Sequence, residues 1–464
     1  MANKPIIEGE NVPISLSQTG VMATAIVMAA SAAAQSPPAQ EYRIYAGSSH
    51  AHTAFTWSHG DMLAENACKG VVTYALKEGS DVLFEWRGGD KSAPCPVMYV
   101  MNGWQYHSQF KSLKPDWQRF QGPPSAHFAA ARAAGFDWYA TTDHSQEAAY
   151  FPLGPDNPQW RLMKDQATEA TRAGFVGLAG FEYSENDGPG GTGHINVINT
   201  DDISNALIPG VDLAAFYRWL AKAKPNGAGP VIATFNHPSV DSHAHFTGRT
   251  AAATEIIAML EVVNGNGRTH YPGFIAALDA GWKVSPTVGL DNHGLAPIAT
   301  FKPRAFVLAK AATKEAILDA MRHRRTYASL DNNIQARYTV NGQVMGSTLP
   351  RPAAFRFDIA VEDPDTNDPR ARITKLDIVK DGGQVVASFT PDAPSTRVRW
   401  QPEVRDAAAH YFFVRVWSAG GGDAPKADPD KPVAWLAPVW TGLPGPMAPM
   451  LPPDQAGEKD KAGN

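Results

Sequence analysis

Cysteine is nearly missing from this chain: 464 residues contain two, Cys68 and Cys95. So few thiols exclude a disulfide-stapled scaffold and a thiolate zinc ribbon, and leave room for one disulfide at most. Charge is also sparse. Charged residues make up 19%, the formal net charge is −5, and Lys and Arg are scattered rather than clustered. No basic face is available for nucleic acid or anionic lipid. A membrane-spanning run is lacking too. Val21 to Ala34 is unbrokenly apolar or small, too short to span, and reads as a signal-peptide core with a small-residue cleavage site before Gln35. The expected location is therefore periplasmic or secreted. Lys4 is offset by Glu8 and Glu10, a weakly basic start that leaves a misassigned start, an uncleaved anchor or an Ala-rich leader as alternatives. There is no Gly-x-Ser-x-Gly elbow for a serine hydrolase, and no internal repeat.

What is present is a hydrophobic fraction of 44%, enough for a sizeable core in two or three domains. After a Ser-Pro-Pro-Ala-Gln linker at 36–40, a short strand runs into His50-Ala-His52. Residues 68–124 read as an insertion of short β-like runs. From Ser125 helices and strands alternate. Helices are expected at Ala126–Ala134, Trp160–Ala173, Leu213–Ala223, Tyr271–Ala280 and Thr313–Arg325. Strands are expected to end at His144, Glu182, His237 and Asp291, with another opening at His194 and one over Ile256–Val263. Such alternation predicts a parallel sheet. After about residue 330 the period switches to strand alternation, as in Phe355–Val361 and Tyr411–Trp417, which predicts a β-sandwich. The expected division is a leader to 40, an α/β unit over 41–329, a β-sandwich over 330–442 and a disordered tail over 443–464.

Polar residues of one kind gather at the strand ends. His50 and His52 share a face at i and i+2. Thr142-Asp-His144, Gly180-Phe-Glu182, Gly193-His194, Asn236-His237-Pro and Asp291-Asn-His293 follow. These are eight N or O donors without a thiolate, with His59 a possible ninth. That is too many for one ion, so two or three divalent ions (Zn, Mn or Fe) are implied. Ions so clustered make a bridging hydroxide and clamp ester oxygens, which is hydrolytic chemistry with phosphoesters as the natural substrate. A carboxylate such as Glu182 or Asp291 is suited to bridging them.

In this ordered set the sequence resembles the PHP (polymerase and histidinol phosphatase) family. His50-Ala-His52, Thr142-Asp-His144, the His of Asn236-His-Pro238 and Asp291-Asn-His293 match its four motifs, and Glu182 and His194 match its intervening ligands. The resemblance spans about residues 42–328. It implies a distorted (β/α)7 barrel and a partition of ligands: His50, His52, Glu182 and Asp291 for one ion, His59, His144 and His293 for a second, and Glu182, His194 and His237 for a third. Two departures stand out. Ser48-Ser49 replaces the usual Asp before the first His, and Ser58-His59-Gly60 replaces Ser-Asp-Gly, giving His59 that ligand slot. An exported form with a β-rich C-terminal domain also looks like a branch that includes carbamate-ester hydrolases.

The leading reading is an exported metal-dependent phosphoesterase acting on a small-molecule ester, with no nucleic-acid partner and no stable membrane span. A carbamate, carboxylic ester or amide hydrolase on the same cluster is the alternative. An envelope- or polymer-binding protein with a vestigial cluster is the reading from another class. Asp143 is expected to orient ligands, and Arg268 and His270 to contact a substrate anion. His243 and His245 are expected in solvent. His107, His127, His323 and His410 are expected to be structural, and the aromatics of Tyr411–Trp417 to be core.

Overall fold

The computed structural model describes residues 42–443 except 57–59, 66–72, 79–80, 88–96, 102–103, 108–110, 115, 151, 185–192, 206–211, 266 and 426. It is a mixed α/β protein with a large central sheet and a second, smaller sheet. The main strands of the N-terminal part of the central sheet are, in chain order, β1 (Arg43–Ser48), β2 (Trp138–His144), β3 (Val176–Ser184), β4 (His194–Ile198), β5 (Ile232–Asn236), β6 (Ile257–Asn264), β7 (Ser285–Gly289), β8 (Arg304–Ala309) and β9 (Thr326–Ser329). β2, β3, β5, β6, β7, β8 and β9 are buried at every position. Strands covered on both faces are what near-continuous apolar runs produce.

Pairing follows the order β6-β5-β4-β3-β2-β1-β8-β9, with β7 on β6. β1 with β2, β2 with β3, β5 with β6 and β6 with β7 are parallel. β4 is antiparallel to both β3 and β5, and β8 is antiparallel to β1. This corrects the all-parallel expectation. Only residues 185–193 separate β3 from β4, fewer than a parallel crossover needs. Past its end β7 also meets the end of β1: Ser49 N donates to Val288 O at 3.1 Å, Asp291 N to His50 O at 3.0 Å, and Ala51 and Asn292 form a parallel bridge.

The helices follow their local signals. Pro158–Ala170 begins at Asn157, whose side chain accepts from Gln159 N and Trp160 N, and Pro158 fills the first turn, where its missing N–H is harmless. Trp160, Met163, Ala167 and Ala170 make its buried stripe, and Trp160 meets the Phe181 ring of β3 edge-on at 5.9 Å. Thr313 caps Lys314–Arg322 by accepting from Ala316 N. Among the described residues no helix is long and apolar enough to cross a membrane.

The C-terminal part contains β10 (Gln335–Val340), β11 (Phe355–Glu362), β12 (Ile373–Lys380), β13 (Gln384–Phe389), β14 (Arg397–Trp400), β15 (Tyr411–Ser418) and β16 (Ala434–Leu436). β10, β11 and β14 form the core of the second sheet, while β12, β13, β15 and β16 extend the central one. The join is direct, since Tyr327, Ala328 and Ser329 of β9 pair with Leu436, Trp435 and Ala434 of β16. Burial in β11 alternates along the strand, and its inward Phe355 and Phe357 rings lie 4.8 and 5.9 Å from Phe412 of β15. Tyr338 of β10 donates its buried hydroxyl to Ala437 O at 2.6 Å. Residues 63–113 contain a two-stranded and a four-stranded antiparallel sheet. Cys68 and Cys95 lie outside the described residues.

Candidate metal centre

The strand directions gather the donors at one edge of the sheet. His50 and His52 follow β1, His144 closes β2, Glu182 lies near the end of β3, and His237 follows β5. Asp291 and His293 follow β7. His194 opens β4, and because β4 runs backwards its start lies at the same edge, paired with Ser184 and Asn236.

Three groups of side chains bring their ligand atoms within 4.8 Å of one another: His50, His52 and Glu182; His52, His144 and His293; and His144, Glu182 and His194. Glu182 is fully buried at the centre. Its Oε1 lies 3.2 Å from His50 Nε2 and 3.0 Å from His194 Nδ1, and its Oε2 lies 3.0 Å from His144 Nδ1. His237 Nε2 stands 3.8 Å from the same carboxylate. Asp291 Oδ1 is 2.9 Å from His52 Nε2 and 3.5 Å from His50 Nε2. His293 stacks on His52 with ring centroids 4.0 Å apart. All eight expected donors in the described residues therefore converge. His59 lies outside those residues.

Hydrogen bonds assign the imidazole protons. Thr56 Oγ1 donates to Asp143 Oδ1 at 2.8 Å, so its oxygen is the acceptor for His52 Nδ1–H at 3.3 Å. The His50 Nδ1–H donates to Glu261 Oε1 at 2.9 Å. Both rings then turn an Nε2 lone pair inward, and these two nitrogens are 2.9 Å apart. Facing lone pairs beside two carboxylates repel unless a cation, either a proton or a metal ion, lies among them. The donor set, and these tautomers of His50 and His52, suit divalent-metal ligation.

The electrostatics agree. Burial would lower the His50 pKa, but Asp291, Glu182 and Glu261 outweigh it and hold it well above the ordinary value. Burial likewise opposes charge on His237, yet the nearby carboxylates of Glu182 and Glu261 raise its pKa to about 9. Burial would raise Glu182, but His194, His50 and His144 keep it well below the usual carboxylate range. The pocket is made for positive charge.

Several supporting residues carry no signal of their own in the sequence motifs. Glu261, fully buried in β6, holds His50 and accepts from His237 N at 2.8 Å. Asn236 donates to Glu182 Oε1 at 2.8 Å and Ser184 to Oε2 at 3.2 Å. A signal existed for Glu261: a lone carboxylate inside Ile-Ala-Met-Leu-Glu-Val-Val-Asn is costly to bury unless it has partners. Asp143 behaves as an orienter and is too heavily bonded to attack anything. It accepts from Thr53 N at 2.6 Å, Thr53 Oγ1 at 2.7 Å and Thr56 N at 3.0 Å, which pins the loop after His52. Burial still pushes it up to about 6.

His270 is buried beside His237, ring centroids 6.2 Å apart, and burial lowers it to about 4. Arg268 is exposed next to it on a short strand paired with β6. The expectation for His243 is corrected: it is fully buried, its ring 4.3 Å from that of Phe235, because the 242–246 turn folds it inward. His245 is exposed as expected. His127 is structural, its Nε2 hydrogen-bonded to Gln121 O at 2.6 Å. His323 and His410 pair with Asp319 and Asp381 far from the cluster. The side chain of His107 lies outside the described residues.

No family model matches the chain, and no curated protein does. Among solved structures it is similar to a two-domain protein from Bacteroides vulgatus described as containing a predicted PHP-like metal-dependent phosphoesterase. Identity is 16%, the match covers 87% of this chain and 97% of that one, and the TM-score is 0.40. A likeness that loose carries neither fold nor activity, and both are read from this chain's own residues.

Proposed function

We propose that the protein is a metal-dependent hydrolase of phosphoric esters, with a di- or trinuclear centre held by His50, His52, His144, Glu182, His194, His237, Asp291 and His293. The observation that carries this reading is the pair of inward Nε2 atoms of His50 and His52, 2.9 Å apart, in a nest that Glu182 and Asp291 make negative. Divalent ions bound there acidify water and neutralise charge developing on ester oxygens. Glu182 presents its two oxygens to different imidazoles, which suits it to be shared between ions. Asp143 fixes the loop that carries His52. Burial keeps His270 neutral above about pH 4, and its buried Nε2 has no hydrogen-bond partner among the described residues, so it is suited to hydrogen-bond a substrate as a neutral imidazole. Arg268 at the rim is suited to an anionic group on that substrate.

The same reading takes β1 to β7 as a distorted (β/α)7 barrel over 41–329, supported by the bridge of Ala51 to Asn292, and takes 330–442 as a β-sandwich, supported by the facing aromatics of β11 and β15. Export is part of it, with Gln35 the expected first residue of the periplasmic or secreted form. N-terminal sequencing checks that point.

The test of function is a panel of chromogenic phosphate mono- and diesters against carboxylic and carbamate esters, with added Mn²⁺ or Zn²⁺. Phosphoester turnover that a chelator abolishes and metal restores is expected. Turnover confined to carboxylic or carbamate esters would overturn the phosphoester assignment. Purified protein that binds no divalent metal and turns over nothing would overturn the hydrolase itself.

A further inference from the structure

Glu261 stands behind the centre without joining it. Oε1 accepts the Nδ1 proton of His50 at 2.9 Å. Oε2 accepts two more bonds, from His237 N at 2.8 Å and from Asn264 Nδ2 at 2.9 Å. That same Asn264 amide reaches Asp291 Oδ2 at 3.3 Å. One buried carboxylate therefore ties together three of the candidate ligands. The backbone at two of them is in the left-handed region: φ is 31° at His237 and 50° at Asp291. Non-glycine residues hold that conformation only when their surroundings fix it. The His237 N–H to Glu261 is such a fixing bond. Space for the carboxylate is also reserved. A Cβ at Gly289 would come within 1.9 Å of Glu261 Oε1, so the glycine before the Leu290-Asp291 turn leaves that room.

We propose that Glu261 is a positioning residue for the metal centre: by holding the His50 proton on Nδ1 and the His237 backbone in its strained turn, it presents both imidazoles to the ions. This rests on the metal-hydrolase reading. It also makes a sharp chemical prediction for Glu261→Gln. The two donors at Oε2 leave that position to the amide oxygen, so the amide NH₂ must face His50. His50 Nδ1 then has to accept, its proton moves to Nε2, and the inward lone pair disappears. Isosteric replacement therefore removes a ligand atom without removing the ligand.

The experiment uses the full chain, stripped of metal and titrated with Zn²⁺ against a chromogenic chelator, alongside thermal melting of the metal-free proteins. For Glu261→Gln, Zn²⁺ affinity is expected to fall about 10- to 100-fold, the range for loss of a partner behind a ligand, while the metal-free protein still melts cooperatively. In a His50→Ala background the same change should cost less than about 3-fold, because its main route is gone. Additive losses would mean a general structural role and overturn the proposal, as would unchanged affinity in Glu261→Gln. If Glu261→Gln does not fold, Glu261→Asp takes its place, since it keeps the charge but withdraws it from His50; equal Zn²⁺ affinity there overturns the proposal and a 10-fold loss supports it. Failure of wild-type protein to bind Zn²⁺ at all is a different result, and sinks the hydrolase reading instead.

Discussion

β3 and β11 are near equals in length and opposites in design. All nine positions of β3 are buried, and near its end stands Glu182, ringed by imidazoles. The eight positions of β11 alternate between core and surface, and its outward Asp358 pairs with exposed Arg399. A polar side chain on β11 is polar because water reaches it. On β3 or β6 water does not, so each carboxylate needs partners or a cation to be tolerated. Burial on both faces turns a charged residue from a neutral surface choice into a statement about chemistry.

The sharpest way to break this contrast is to remove the carboxylate at the end of β3. Glu182→Gln should lower turnover by more than about 100-fold, beyond the cost of losing a partner behind a ligand, and should lower bound metal measured by elemental analysis. The metal-free variant should still melt cooperatively, because the apolar core of β3 is untouched, but lower than metal-free wild type, because the buried imidazoles lose their counter-charge. Retained metal content and turnover would show that the cluster is not the working centre.

Next in size are changes that should make the two regions look alike. Phe181→Ala in β3 and Phe412→Ala in β15 each remove a fully buried ring, and each should cost about 3–5 kcal/mol in chemical denaturation. The two parts are joined through β9 and β16, so both losses should appear in one transition. Two separated transitions for Phe412→Ala would mean that the C-terminal sheets unfold on their own.

The comparison also explains what the sequence revealed. Ligands at strand ends were legible because His, Glu and Asp recur there with short motif spacings, and the period change near residue 330 marked the alternating strands. Glu261 was legible only as a carboxylate costly to bury, since it sits mid-strand with no motif beside it and the ligands it holds are 211 residues away at His50 and 24 away at His237. The direction of β4 is not given by helix–strand alternation, which suggests parallel strands; only the length of the link before it forbids that. The burial of His243 is not visible in its polar neighbours, since it packs on Phe235 from β5.

A smaller effect separates the regions by pH. His237 is raised to about 9 in the folded, metal-free protein. A group raised above its unfolded value of roughly 6.5 stabilises the fold fully below that pH and loses the contribution as pH rises through about 9. Glu182 is lowered, so its contribution is present above the unfolded carboxylate pKa of roughly 4.3 and is lost on acidification. Metal-free protein should therefore be most stable between these limits and melt lower from pH 7 to pH 10. Zn²⁺ has to displace the imidazole protons, so its affinity should climb over the same interval. A melting temperature flat from pH 7 to 10 in metal-free wild type, or one equally pH-dependent in Glu182→Gln, would separate the cluster from this behaviour.

The least effect is expected on the outer face of β11. Arg399 donates to both oxygens of Asp358, at 2.8 and 2.6 Å, a bidentate geometry that looks strong. The side chains are 65% and 38% exposed, however, so water and salt screen the attraction, and ordering a long side chain offsets most of what remains. Arg399→Ala is expected to leave the denaturation midpoint within measurement error at about 0.15 M salt and to leave turnover and metal content unchanged. A clear drop in midpoint that persists at high salt would mean the pair is shielded in solution, as it would be if this face of the second sheet were covered by another molecule, and the contrast between β3 and β11 would then narrow to a difference of partners.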